Sequence, residues 1–349
     1  MSDLIQALVS DGAIESATLD AADLTNADLT GLVLRNVSFR NAQMTGANLS
    51  NTYLVNCDFT EANLSQANLN EAQIIDSIFC NSNLQQVKAE GTTASGSDFS
   101  QANMSESGWA GSMFDACRFN RTVMKRINFD KVDCFQCRFN DTDLSEAQLT
   151  QWTAPETDLS SVRFVGTNLN RAYLMGSNLT KQSFAQCDLT LTLFNRCRLD
   201  FADFSGMSLT STQFTNASLL GATFKNSQAL YVSLVEANMT GAILQDAHFK
   251  LSNFAQALLV KTIAERLRLE QCVLSNSDCQ ESTWTNADID SCNLSNANLA
   301  RSQWANSRLF LTNLHGIREK DCAWPGATLK QVLRTDPQLL RAEKWVAVV

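Results

Sequence analysis

The sequence predicts an all-β solenoid, and two observations predict it. The first is a five-residue beat. Leu19, Leu24, Leu29, Leu34, Phe39, Met44 and Leu49 open it, and it runs in one phase to Leu329, giving 63 consecutive units. The second is what occupies the beat. Of the 63 central positions, 55 are Leu, Phe, Met, Ile or Trp, and two residues earlier stands Ala, Ser, Thr, Cys or Val in 56. Side chains of a helix or a flat strand face one way every 3.6 or 2 residues, so neither has period five. A short fixed period over nearly the whole chain means stacked repeats. The alternation of small and large inward residues suits a narrow, closely packed lumen.

The cleanest units read Ala22-Asp23-Leu24-Thr25-Asn26, Ala47-Asn48-Leu49-Ser50-Asn51, Ala62-Asn63-Leu64-Ser65-Gln66 and Ala297-Asn298-Leu299-Ala300-Arg301. They resemble the pentapeptide-repeat family, whose signature is A-[D/N]-L-x-x. The resemblance implies a right-handed quadrilateral parallel β-helix. In it each unit makes one side, four units make one coil, and the central residue and the small residue two before it point inward.

Twenty-residue spacing tests that implied coil independently. Phe39, Phe59, Phe79, Phe99, Phe119 and Phe139 lie twenty apart, as do Phe164, Phe184, Phe204 and Phe224, and then Trp284, Trp304 and Trp324. Stacked at the strand spacing of a sheet, they form continuous core ladders. The repeats make about sixteen coils and, at ~4.8 Å per coil, a rod about 75 Å long.

Three segments follow: residues 1–16 as an N-terminal cap, 17–329 as the β-helix, and 330–349 as a C-terminal helical cap or association segment. Leu4, Ile5, Leu8 and Val9 have helical spacing. Leu329-Lys330-Gln331-Val332-Leu333-Arg334 has helical character, and Asp336-Pro337 reads as the N-cap and first position of a second helix through Leu339, Leu340 and Trp345. Four stretches weaken the repeat: 87–96, 151–156, 227–231 and 261–270. They read as bulged corners or short excursions. Glu319 is the one charged central residue and suggests distorted last coils.

Net charge is −9, all of it in the first third: residues 1–100 hold 12 Asp/Glu and 3 Lys/Arg. That is either a solvated acidic surface or a docking face for a basic partner. There is no signal peptide and no 18-residue apolar run, so the expectation is a cytoplasmic chain that inserts in no membrane. Export by a route that needs no signal peptide stays open. Of 11 cysteines, eight (Cys57, Cys117, Cys137, Cys187, Cys197, Cys272, Cys292, Cys322) occupy the small inward slot and Cys134 and Cys279 the central one. They read as small hydrophobes, with a disulfide across the stacked pairs Cys117/Cys137 and Cys272/Cys292, or a metal, as the alternative. Cys134-Phe135-Gln136-Cys137 lacks the second pair that a zinc site needs. The two histidines, His248 and His315, are more than three coils apart, and no phosphate loop or dinucleotide fingerprint occurs. No catalytic residue, metal or cofactor is expected.

Two surfaces stand out. One is a basic patch of Arg118, Arg121, Lys125, Arg126, Lys131 and Arg138, interspersed with acids; it is a mixed solvated face or an anion site. The other is an outward apolar column of Leu191, Tyr231, Leu251 and Leu311, with Leu193, Leu230 and Phe310 beside it and Trp345 at the same end. Exposed apolar columns mark contacts, so this one is either a protein interface or is covered by the local excursions. The functional expectation is therefore a non-catalytic scaffold or adaptor that binds another protein or forms a homodimer through its C-terminal half, with no direct nucleic-acid binding. The opening Leu4-Ile5-Gln6-Ala7-Leu8 is similar to repeat proteins found beside type VI secretion spike genes. The alternative, implied by the family's best-known members, is a DNA mimic that occupies gyrase. A 75 Å duplex carries about 44 charges and the whole rod only −9, but the first five coils, about 24 Å, face about 14 charges of DNA with nine of their own.

Overall fold

The computed structural model describes residues 11–343. They form two compact units: residues 11–178 with 186–188, and residues 179–185 with 189–343. Each unit is a four-sided parallel β-helix. Residue i pairs in parallel with residue i+20 on every side, as in Thr18↔Ser38, Asp23↔Gln43, Asp28↔Asn48 and Val33↔Tyr53.

The five-residue unit has a physical basis that recurs at corner after corner. The residue two after the central one adopts a left-handed backbone, for example Asn26 (φ 54°), Asn51 (φ 58°) and Gly46 (φ 67°). Asn and Gly tolerate that region best. The Asp or Asn before the central residue closes the turn, because its side-chain oxygen accepts the amide N–H two residues on. Thr25 N–H donates to Asp23 Oδ1 at 3.1 Å, and Ser50 N–H to Asn48 Oδ1 at 3.2 Å. This Asx turn gives the signature its acidic or amide residue. In the small slot, hydroxyls satisfy lumen carbonyls: Thr52 Oγ1 donates to Leu49 O at 2.7 Å and Thr92 Oγ1 to Leu69 O at 2.8 Å.

One side of each unit is extended enough to form a regular sheet. In unit 1 it comprises β1 (Ala13–Glu15), β2 (Val33–Arg35), β3 (Tyr53–Val55), β4 (Gln73–Ile75), β5 (Thr93–Ser95), β6 (Met113–Asp115) and β7 (Asp133–Phe135), in sequence order. In unit 2 it comprises β8 (Gln228–Leu230), β9 (His248–Lys250), β10 (Arg268–Glu270), β11 (Asp288–Asp290), β12 (Arg308–Phe310) and β13 (Thr328–Lys330). The first sheet is centred on Leu34, Leu54 and their successors, the second on Phe249, Leu269 and theirs. The extended side is therefore a different one of the four in each unit.

The aromatic ladders form inside each unit. Successive rings from Phe39 to Phe139 are parallel within 13°, with centroids 4.7–5.3 Å apart. In unit 2, Phe184, Phe204 and Phe224 stack at 5.0 and 4.9 Å, and Trp284, Trp304 and Trp324 at 4.7 and 5.0 Å. A further pair, Phe194 and Phe214, stacks at 5.4 Å.

The four weak stretches are not excursions. Thr93–Ser95 pairs on both sides, and Thr153, Gln228–Leu230, Ile263 and Arg268–Glu270 all keep the ladder. Volume is exchanged between neighbours instead. Ala94 pairs with Phe114, and Trp109 stands one coil above Ala89. Trp152 fills the small slot beside Ala154, meets Phe139 edge-on at 5.6 Å and directs Nε1 at Cys134 Sγ, 3.4 Å away.

The ends also differ from expectation. Pairing begins at Ala13 and extends to Leu333, which bridges Asn313. Leu329–Arg334 is not helical: Thr328–Lys330 is β13 and Gln331 takes the left-handed corner (φ 53°). Asp336 does cap a helix, α1 (Pro337–Glu343), accepting the amides of Gln338 and Leu339 at 2.8 and 3.2 Å. Glu319 does not distort its coil; Arg318 beside it still pairs with Asn298, and the carboxylate is exposed beside Arg334, 3.7 Å away. The helical spacing at residues 4–9 and Trp345 lie outside the described residues.

Candidate docking surfaces

The lumen is filled, so chemistry has only the outer surface to work with. Three outward surfaces have distinct character.

The first is one of the left-handed corners of unit 2. Leu191 (φ 61°), Tyr231 (φ 58°), Leu251 (φ 51°) and Leu311 (φ 49°) all sit there and all are exposed, Tyr231 at 55%. Phe201 (φ 60°) sits at another left-handed corner, ten residues out of register with that column; it is the most exposed aromatic among the described residues at 61% and lies over Gly221, where a Cβ would come within 2.7 Å of its ring. Leu193, Leu230 and Phe310 are half-buried. The column is interrupted: Ser211, Gln271 and Ser291 stand at its other positions, so only Tyr231 and Leu251 occupy adjacent coils.

The second is the sheet face of unit 2, which is charged and largely self-satisfied. Lys250 Nζ lies 2.9 Å from Glu270, His248 Nε2 3.1 Å from the same carboxylate, and Arg308 2.7 Å from Asp288 and 3.5 Å from Asp290. Around the corner Arg266 grips Asp246 with two nitrogens at 2.6 and 2.7 Å, and this holds the Asp246 carboxyl below the usual carboxylate range. The Arg308 guanidinium rests 5.8 Å from the centre of the Phe310 ring.

The third is the sheet face of unit 1, which sequence reasoning did not single out. Val33, Tyr53 and Met113 stand in one outward column, and Val55, Ile75 and Phe135 in the other. The signal was present, since both columns recur at twenty-residue spacing.

The basic patch is mixed. Arg118 pairs with Asp98 at 3.0 Å, Lys125 with Asp143 at 3.4 Å, and Arg126 with Glu106 and Glu146. Arg121 reaches Asp141 at 4.0 Å, while Arg118 and Arg138 occupy adjacent rungs. Four of its six cations are thus already paired with carboxylates. Lys131 sits at a left-handed corner (φ 57°) beside β7.

Among the described residues no group of three or more His, Cys, Asp or Glu is arranged to hold a metal ion, and no helix is long and apolar enough to cross a membrane. All 11 cysteines are free thiols, and burial pushes Cys57 and Cys187 up to about 11 and Cys279 to about 12.

A repeating backbone, a filled lumen and side chains displayed at fixed intervals define a β-solenoid. Two family models match: the pentapeptide repeat region over residues 52–129, and pentapeptide repeats (8 copies) over 17–54, 156–190, 192–228 and 268–303. The chain belongs to the pentapeptide-repeat family. Among solved structures it is similar to HetL, a pentapeptide repeat protein involved in heterocyst differentiation regulation in the cyanobacterium Nostoc sp. strain PCC 7120. The identity is 19% over 73% of this chain and 90% of that one, with a TM-score of 0.27. It is similar also to a pentapeptide repeat protein of the Arabidopsis thaliana thylakoid lumen, at 32% identity over 25% of this chain and 61% of that one, TM-score 0.25. A third is QnrB1, a plasmid-mediated fluoroquinolone resistance protein, at 15% identity over 79% and 97%, TM-score 0.20. A search of curated proteins finds no match.

Proposed function

We propose that the protein is a non-catalytic scaffold that binds another protein, or a second copy of itself, through outward apolar side chains of unit 2. The observation that supports this reading is the corner position of Leu191, Tyr231, Leu251 and Leu311 in one column, with Phe201 at another left-handed corner. Large apolar residues disfavour the left-handed region by about 1–2 kcal/mol each, and none of these five side chains contributes to the lumen. Residues that cost the fold stability and lie exposed are retained for contact. A preformed surface loses little conformational entropy when it is bound.

Tyr231→Glu tests the reading. It is expected to weaken self-association in light scattering, or capture of a partner from lysate, while the unfolding midpoint stays where it was. Equal mass and equal capture for parent and variant overturn it. The acidic balance of residues 1–100 favours a second reading, mimicry of a nucleic acid toward a DNA-binding enzyme. Gyrase supercoiling left unchanged by an excess of the protein removes that reading.

A further inference from the structure

The sheet face of unit 1 has a gap at β5. Its strand, Thr93-Ala94-Ser95, is bracketed by Gly91 (φ 65°) and Gly96 (φ 60°), the only strand of the chain with glycine at both flanking corners among the described residues. Its neighbours in the ladder are taller: Gln73 and Ile75 on one side, Met113 and Asp115 on the other. The result is a depression of 290 Å³ lined by these residues, with room for one large apolar side chain.

Carboxylates stand around it. Glu71 lies over Gly91, where an added Cβ would sit 3.7 Å from its Cγ. Asp76 lies against Gly96, where a Cβ would collide with its Oδ1. Asp115 forms part of the far wall. Asp98 is taken by Arg118, but Glu71, Asp76 and Asp115 are in no ion pair among the described residues. Apolar floor and unpaired acid rim together specify the complement.

Resting on the scaffold reading above, we infer that this depression docks an extended protein segment that inserts one large apolar side chain between Ile75 and Met113 and places a Lys or Arg on either side. Between the corners at Gly91 and Gly96 only the three residues Thr93–Ser95 are extended, about 10 Å of strand. The two cations therefore stand three or four positions apart, one toward Glu71 and one toward Asp76 and Asp115. Apolar insertion supplies affinity, and the carboxylates supply orientation and salt dependence.

The test is selection of random peptides by the full chain, followed by fluorescence polarisation of the selected peptides. The expected outcome is enrichment of a Leu, Phe or Trp flanked by Lys or Arg at that spacing. Ser95→Phe, which fills the depression with a side chain like that of Phe135 two strands away, should lower affinity at least tenfold. D76N/D115N should lower it about tenfold and flatten its salt dependence. Selected peptides without the basic–apolar pattern, no enrichment at all, or equal binding by Ser95→Phe each overturn the proposal. Tyr231→Glu should bind the peptides like the parent. Peptides lost with Tyr231→Glu and kept with Ser95→Phe would refute this site and leave the scaffold reading standing.

Discussion

Replacing Phe119 by Ala tests the core where four other rings surround one. The ring is fully buried, stacked between Phe99 (5.3 Å, 12°) and Phe139 (5.0 Å, 13°), with Phe114 edge-on at 5.2 Å and Phe129 at 6.4 Å. Truncating a buried Phe to Ala costs about 3–5 kcal/mol, the spread reflecting how far the site collapses. Collapse is difficult here, because the coils above and below hold the backbone on parallel ladders, for example Arg118↔Arg138 and Asp98↔Arg118. Each lost aromatic pair adds about 0.5–1.5 kcal/mol beyond area. The expected loss is therefore near the upper end, about 5 kcal/mol. Urea unfolding of the full chain, followed by tryptophan fluorescence, reads it; Trp109 lies 6.0 Å from Phe99 and reports on the same coils. Because repeats contact only their neighbours, the loss should show as early melting of unit 1 rather than of the whole chain. A stability within about 0.5 kcal/mol of the parent would refute burial of the ladder and the stacking argument with it.

Other consequences are equally open to measurement. Leu251→Gly removes a bulky residue from a left-handed corner (φ 51°) and should leave stability unchanged or raise it by up to ~1 kcal/mol; a clear loss in thermal unfolding would contradict the strain argument. Maleimide at neutral pH should modify the native protein slowly and at no more than Cys80 and Cys322, the two half-buried thiols, with burial holding Cys80 up at about 11; rapid modification of further thiols counts against the packing. The Thr30 hydroxyl and amide lower Asp28 below 3.8, and Arg266 does the same for Asp246. The unfolded chain therefore takes up protons first as pH falls, so this stabilisation is complete well above 3.8 and is lost as pH drops through the lower folded values. Stability should be flat from neutral pH to about pH 5 and fall below about pH 4; a decline that begins near neutrality would point to another group.

Much of this fold is legible in the chain because each five-residue unit solves the same local problem. Leu24, Leu64 and Leu299 face inward for one reason, and the beat shows them directly. What the beat cannot show is which of the four sides is extended. Leu54 in a regular strand and Leu64 in a tight side are the same residue in the same slot. Compensation between coils is also invisible along the chain. Ala94 looks like a defect until Phe114 is seen one rung above it, and Trp152 looks misplaced until Cys134 and Ala154 are seen to leave it space. Leu329–Arg334 reads as helical by composition, yet pairing with Arg308–Phe310 holds Thr328–Lys330 in the ladder. The outer surface is legible only at period twenty. That period brings out Tyr231 and Leu251, and the same period over Tyr53, Ile75, Met113 and Phe135 exposes the other apolar face.

Whether a side chain points inward or outward follows from a coil of twenty residues. The most direct test is the distance between spin labels placed at Val33 and Asp133, outward positions of one column in unit 1 separated by 100 residues and five rungs. With 11 native cysteines the labels require a non-cysteine handle. At ~4.8 Å per rung, electron–electron double resonance should give one narrow distribution centred at about 24 Å. A broad distribution, or a narrow one centred beyond about 35 Å, would contradict the twenty-residue coil and every surface built on it.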